Sequence, residues 1–398
     1  MTGNSVVGGA ALVLAAVIGA SHLPPPYATP SADNPPEVVP QPHGAQLHVP
    51  PGFSVEVWAQ GFAAPRFLLE GEHGEILLAD SGAGIHGRGG HTADGAVYVF
   101  AGGNPASRKE LIRGLNRPYG LALWRDYLYV GEADSVKRYR YDPVKLTVGK
   151  AEEVISLAGF DEDHWTRSLL FDRAGNKLYV GVGSGANVET GEDPRRAAIN
   201  RYNPDGSGHE IFASGMRNPI GLHWYPNSDV LWAAVQERDE LGDNLVPDYL
   251  THVQEGGFYG WPYSYIGSHP DPRIPQNRPD LVSRAIVPDV LLGSHVAILD
   301  FTFYTGRQFP AEYRNGTFLA LHGSWNRSQR AGYEVAFLPF QNGKPSGPLR
   351  DFVTGWEISP TSKDVWGRPV AAFQMTDGSL LVTDDGGRKI WRVSYGGK

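Results

Sequence analysis

One short pattern recurs six times along the chain, and it limits the fold more than any other feature. The apolar, strand-forming runs are Ile76–Asp80, Leu128–Glu132, Leu178–Val182, Leu231–Val235, Phe318–His322 and Leu380–Asp384. Most follow a Gly, Asp or Asn turn, such as His73-Gly74-Glu75, Ala174-Gly175-Asn176 or Asp377-Gly378-Ser379. These are strand–turn–strand units with turn residues in place. No long run with helical periodicity competes with them. The first four runs are spaced roughly 50 residues apart, which suits four-stranded propeller blades of about 40 to 50 residues. The expected fold is therefore all-β, a six-bladed β-propeller of four-stranded antiparallel blades around a central channel. The wider gap before the fifth run, residues 238–295, reads as an insertion on one face.

The 50 glycines and 31 prolines supply the turns such a chain needs. A net charge of −8 argues against general nucleic-acid binding. With no cysteine, disulfides, zinc–thiolate sites, iron–sulfur clusters and thiol nucleophiles are excluded. Val6–Ala20 is small and apolar, too short for a comfortable membrane span. Residues 1–21 read as a signal peptide or N-terminal anchor, 22–45 as a Pro-rich linker and 46–398 as the propeller. A periplasmic or secreted location follows, with any membrane association only through that anchor.

An arginine precedes the apolar run in five of the six repeats: Arg66, Arg117, Arg167, Arg217 and Arg368. The first four lie 51, 50 and 50 residues apart, so each belongs at the start of its innermost strand, facing the channel. Clustered guanidiniums there call for an anionic ligand held by Arg forks. The plainer alternative pairs each arginine with a carboxylate of a neighbouring blade. His164, three residues before Arg167, is a candidate general base, because nearby cations favour the neutral imidazole. Arg217-Asn218 offers a fork beside an amide. Gln236–Asn244 is dense in hard oxygen donors, and suggests Ca²⁺ without matching an EF-hand loop. Arg327 and Arg330 extend the positive surface after the fifth run.

With the His164 segment, Gly215-Met216-Arg217-Asn218-Pro219, and the run from Glu237-Arg238-Asp239 through Tyr259-Gly260-Trp261-Pro262, the chain resembles the glucose/sorbosone dehydrogenase family. These are soluble six-bladed quinoproteins that use pyrroloquinoline quinone (PQQ), and the likeness is closer to the sorbosone branch. It spans roughly residues 48–396. The resemblance implies that His164 is the base for sugar oxidation by hydride transfer to PQQ. It implies that Arg217 and Asn218 contact the quinone end and that Arg368 holds a carboxylate. Arg327 or Arg330 would stand at a PQQ-binding lysine position, and Asn116 and Arg117 near a glutamine contact. Glu237 and Arg238 would ligate Ca²⁺ through their carbonyls, with Asp243 at a second calcium. The implied reaction is oxidation of an aldose or sorbosone-like aldehyde hydrate, with electrons passing to an external acceptor. Other readings are a calcium-dependent propeller lactonase or a non-catalytic binding propeller.

Overall fold

A computed structural model describes residues 23–82, 94–275 and 278–396. Six antiparallel sheets stand around a central axis, and the first five run outward in chain order. Blade 1 is Pro65–Glu70, Ile76–Asp80, Gly95–Phe100 and Arg108–Leu115; blade 2 is Leu121–Trp124, Tyr127–Glu132, Ser135–Asp142 and Thr147–Ser156. Blade 3 is Arg167–Phe171, Leu178–Val182, Ala198–Tyr202 and Glu210–Ser214, widened by Gly257–Phe258. Blade 4 is Asn218–Trp224, Leu231–Gln236, Pro247–His252 and Val290–Ser294; blade 5 is Ile298–Phe303, Thr317–Leu321, Glu334–Leu338 and Arg350–Val353. Blade 6 takes Pro369–Gln374, Leu380–Asp384 and Lys389–Tyr395, and its outer strand is Phe53–Gln60 from the start of the chain. Phe53 sits opposite Tyr395 and Gln60 opposite Lys389, so the ring is closed by its own beginning. The 238–295 segment holds the two outer strands of blade 4 and a long excursion between them, and no seventh blade.

The six apolar runs are the second strands. Blades pack face to face around the ring, so both faces of these strands are covered and an unbroken apolar run is required. Alternate side chains serve different neighbours. Leu128 and Val130 pack with Leu77 and Val97 of blade 1, while Tyr129 between them packs with Leu178 and Val180 of blade 3. Each such aliphatic side chain contributes about 1.5–3 kcal/mol by burial. The outer strand Thr147–Ser156 is mostly exposed and reads as polar. Gly120 shows how tight the inner ring is: a Cβ there would stand 2.3 Å from the Arg167 carbonyl of the next blade.

First strands touch one another in a closed circle. Ile220, Leu299 and Val370 of these strands meet Tyr119, just before the first strand of blade 2, as a buried plug, with Trp165 packed on it. The Tyr119 hydroxyl donates to the Leu299 carbonyl at 3.0 Å, from blade 2 to blade 5. Ile220 and Leu299 of this plug also border a cavity.

Residues 23–45, read as a linker, are tied to the propeller. Tyr27 N–H donates to the Leu241 carbonyl at 2.8 Å, and Asn34 N–H to that of Trp325 at 2.9 Å. Glu37 and Val38 pair in parallel with Asp364 and Val365. Among the described residues no helix is long and apolar enough to cross a membrane. The expected signal peptide or anchor lies outside the described residues.

Candidate active site

The cavity holds about 930 Å³. Ile220 and Leu299 of the plug form part of its lining, and His164, Trp165, Arg66, Arg217, His322 and Arg368 stand around it. Loops entering the innermost strands carry most of these groups, which is why one spacing places several arginines at one level.

The five repeat arginines have different tasks. Arg66, Arg217 and Arg368 border the cavity. Arg117 and Arg167 are not among its lining residues. Arg167 is fully buried and donates to the carbonyls of His164 and Thr166 at 2.7 Å and to that of Phe160 at 2.5 Å. It braces the loop that presents His164. Arg117 donates to the Asp161 carbonyl, and its guanidinium lies 5.4 Å from the centre of the Trp165 ring. Arg66 lies 5.3 Å from that same ring and is paired with Asp385 of blade 6. The expected pairing with a neighbouring blade therefore holds for Arg66. Arg217 pairs with Asp239 at 3.1 Å and donates to the Glu237 and Asn187 carbonyls at 2.7 and 3.2 Å. Arg368 donates to the carbonyls of His322 and Gly323, at 3.2 and 3.1 Å, and makes no carboxylate pair among the described residues. Its backbone N–H is held by the buried Asp384 at 2.7 Å.

His164 is half-buried at the cavity wall, with a left-handed φ of 46°. That conformation is uncommon for a residue with a Cβ and marks a constrained position. The ring lies where Gly183 leaves room, since a Cβ on Gly183 would stand 2.4 Å from the His164 Cβ. Burial first, and then the charge of Arg217, push the imidazole down to about 3. The ring is therefore neutral at ordinary pH. Its Nδ1 lies 2.8 Å from the Ser184 carbonyl, which requires the proton on Nδ1. The lone pair is then on Nε2, which makes no hydrogen bond among the described residues, the arrangement a general base needs. Asn218 lines the same wall and donates to Gln236 at 3.1 Å, while its Oδ1 is buried without a hydrogen-bond partner.

Two histidines were missed in the sequence. His322 borders the cavity and donates from Nε2 to Asp385 at 2.9 Å; burial first, then Arg368, push it down to about 3. Asp385 also binds Arg66, so one carboxylate couples an arginine and an imidazole across blades 1, 5 and 6. His295 lies 3.2 Å from Asp239 and 3.0 Å from the Gly242 carbonyl. Burial would raise Asp239, but Arg217 and then His295 hold it below the ordinary carboxylate range. The signal for His322 was its position at the end of the fifth apolar run.

The remaining expected site residues are placed elsewhere. Arg327 donates to the Ser294 carbonyl and to Asn244, both at 3.2 Å, and Arg330 to Asn34, Ser324 and Ser362; neither lines the cavity. Asn116 is buried, with its N–H on Glu132 at 2.7 Å, and also lies off the cavity. Arg238 is fully buried between Glu237 and Asp271 and the carbonyls of Pro262 and Ser264. It staples the excursion of blade 4 to the propeller. Asp243 binds the backbone N–H and hydroxyl of Ser328. The Glu237 carbonyl is already engaged by Arg217. Among the described residues no cluster of His, Asp and Glu is placed to hold a metal ion. Asp243 and the Glu237 carbonyl, both expected at calcium, thus have protein partners.

A family profile described as TrAA12-like matches residues 47–254 and 280–395, nearly the whole propeller. The chain belongs to the TrAA12-like family. A relative from Borreliella burgdorferi, described only as an uncharacterized protein, is 30% identical, over 88% of this chain and 91% of its own. A PQQ-dependent pyranose dehydrogenase of Coprinopsis cinerea is 25% identical, over 82% of this TrAA12-like chain. The chain spans half the length of that relative. The solved PQQ domain of the Coprinopsis pyranose dehydrogenase superposes with a TM-score of 0.73 at 22% identity, over 89% of this chain and 98% of that one, and shares the fold. The profile does not single out a sorbosone branch within the TrAA12-like proteins.

Proposed function

We propose that this chain binds PQQ in the cavity and oxidises a sugar there, with His164 as the general base. The observation that carries the reading is His164 itself: a neutral imidazole, locked through Nδ1, with Nε2 unbonded among the described residues, in a cavity bordered by three guanidiniums. The cavity fits the cofactor chemically. A tricarboxylate suits Arg66, Arg217 and Arg368, and Arg368 in particular has no carboxylate partner of its own among the described residues. The buried Nε of Arg66 also has no hydrogen-bond partner. Trp165 adds an aromatic side chain to the lining, fixed by Arg66 and Arg117. PQQ, when bound, supplies the hydride acceptor.

The protein's own part is proton removal and charge placement. His164 Nε2 takes the proton of the sugar hydroxyl at the carbon that is oxidised. Arg217 and Asn218 favour negative charge developing beside them, in a site whose dipoles are already fixed. No step is assigned to calcium. Export of the chain, read from residues 6–20, belongs to the same proposal.

The test is His164→Gln, assayed by dye reduction with a panel of aldoses and aldehyde hydrates. Loss of general base catalysis should lower kcat/KM by about 10²–10⁴, with PQQ still bound in a fluorescence titration. Undiminished turnover would remove His164 from the chemistry, and loss of PQQ would make it a binding residue instead. Repeating the titration with added Ca²⁺ and with a chelator shows whether the ion takes part.

A further inference from the structure

The segment before the propeller does more than precede it. Asp33, Pro35, Pro36 and Val38 border the cavity. They come from a stretch fastened at three places. Asp243 N–H donates to Thr29 Oγ1 at 2.8 Å, beside the blade 4 loop. In the middle, Asn34 is clasped on both sides. Its amide donates to the Arg327 carbonyl at 3.0 Å, and Arg330 reaches its Oδ1 at 2.9 Å. Further on, Glu37 and Val39 donate to the carbonyls of Lys363 and Val365, both at 2.8 Å. Between the clasp and the last tie stand two consecutive prolines, whose fixed φ and restricted neighbours leave little freedom. A chain tied on both sides of a rigid dipeptide is a wall, and it does not swing as a lid would.

Arg330, one of the two arginines expected at a PQQ-binding position, is therefore spent on this wall. The cavity of about 930 Å³ lies near the upper end of the about 300–1,000 Å³ usual for small-molecule sites, and residues 33, 35, 36 and 38 take up part of its border. We infer that residues 33–38 are a fixed wall of the substrate site that admits a single sugar ring and turns away longer chains. This deepens the proposed function and rests on it for the identity of the substrate. Specificity is here built as exclusion, by rigid atoms standing where a second sugar ring would go.

Two variants of the full chain test it. Asn34→Ala opens the clasp from the strap side, and Pro35→Gly with Pro36→Gly softens the wall; neither touches the propeller core. The wild type, loaded with PQQ, should turn over a monosaccharide at least 50-fold better in kcat/KM than a trisaccharide ending in the same sugar. Both variants should narrow that ratio at least tenfold, with unchanged PQQ affinity. A wild type that accepts the trisaccharide equally well overturns the proposal, as do two folded variants that keep the wild-type ratio. A second measurement needs neither PQQ nor sugar. Diethyl pyrocarbonate labelling of His164 and His322, mapped by peptide and normalised to the exposed His43, should run at least threefold faster in both variants. Unchanged labelling overturns the wall. Faster labelling in a protein that oxidises no sugar keeps the wall and places the failure on the dehydrogenase reading.

Discussion

Replacing Asp239 by Asn separates two roles of Arg217, as a structural cation and as a ligand for an anion. The Arg217 and Asp239 side chains are 7% and 12% exposed and 3.1 Å apart. The amide keeps the shape and removes the charge. Breaking a buried pair by removing one partner costs about 3–5 kcal/mol. Arg217 keeps its bonds to the Glu237 and Asn187 carbonyls and borders an open cavity, so the low end applies, about 3 kcal/mol. At about 2.1 cal/mol/K of unfolding entropy per residue, a propeller of roughly 350 residues shifts by about 1.4 °C per kcal/mol, so Tm of the cofactor-free protein should fall by about 4 °C. An anionic carboxylate brought in by PQQ replaces the missing counter-charge. The cofactor should therefore stabilise the variant more than the wild type, by about 1–2 kcal/mol, equivalent to a Kd roughly five- to thirtyfold tighter. Differential scanning fluorimetry with and without PQQ, joined to a fluorescence titration, measures both numbers. A variant that loses stability and binds PQQ no better than wild type would refute the assignment of Arg217 to the anion.

Acid should unfold the protein through its neutral histidines. His322 is held at about 3, well below the about 6.5 of an exposed imidazole, so the unfolded chain takes up its proton first as pH falls. Its contribution is intact above about pH 6.5 and is lost between there and pH 3, at up to about 1.4 kcal/mol per pH unit. Asp248, raised to about 7 by burial, slopes the other way, so urea melts of wild type and His322→Gln should be compared by difference; equal slopes would contradict the burial of the ring. Gly120→Ala places a methyl against the Arg167 carbonyl and should cost about 1–3 kcal/mol of stability in the same melts. An unchanged midpoint would show that the inner ring can give way there.

The blades were legible because their causes are local. Turn residues stand beside each apolar run, and a strand covered on both faces, such as Leu178–Val182, must be apolar throughout. His164 and the cavity arginines Arg66, Arg217 and Arg368 were legible for the same reason, since a repeat spacing maps onto one level of the ring. What each guanidinium faces is not local. Arg167 and Arg217 share a spacing, yet one is spent on carbonyls of its own loop and the other on Asp239. His322 finds Asp385 from another blade, 63 residues away, and Arg330 finds Asn34 across 296. A Pro-rich stretch reads as a spacer until its partners are brought to it, so the wall had no signature in sequence.

Ring closure carries a consequence for the order of assembly during synthesis. The strand Phe53–Gln60 is made early but has no sheet until Lys389–Tyr395 exists to receive it. Residues 37–39 wait likewise for 363–365. The last blade and one side of the cavity are thus completed together, by the meeting of the two ends of the propeller. A nascent chain stalled before residue 369 would carry five blades, a free early strand and no finished site.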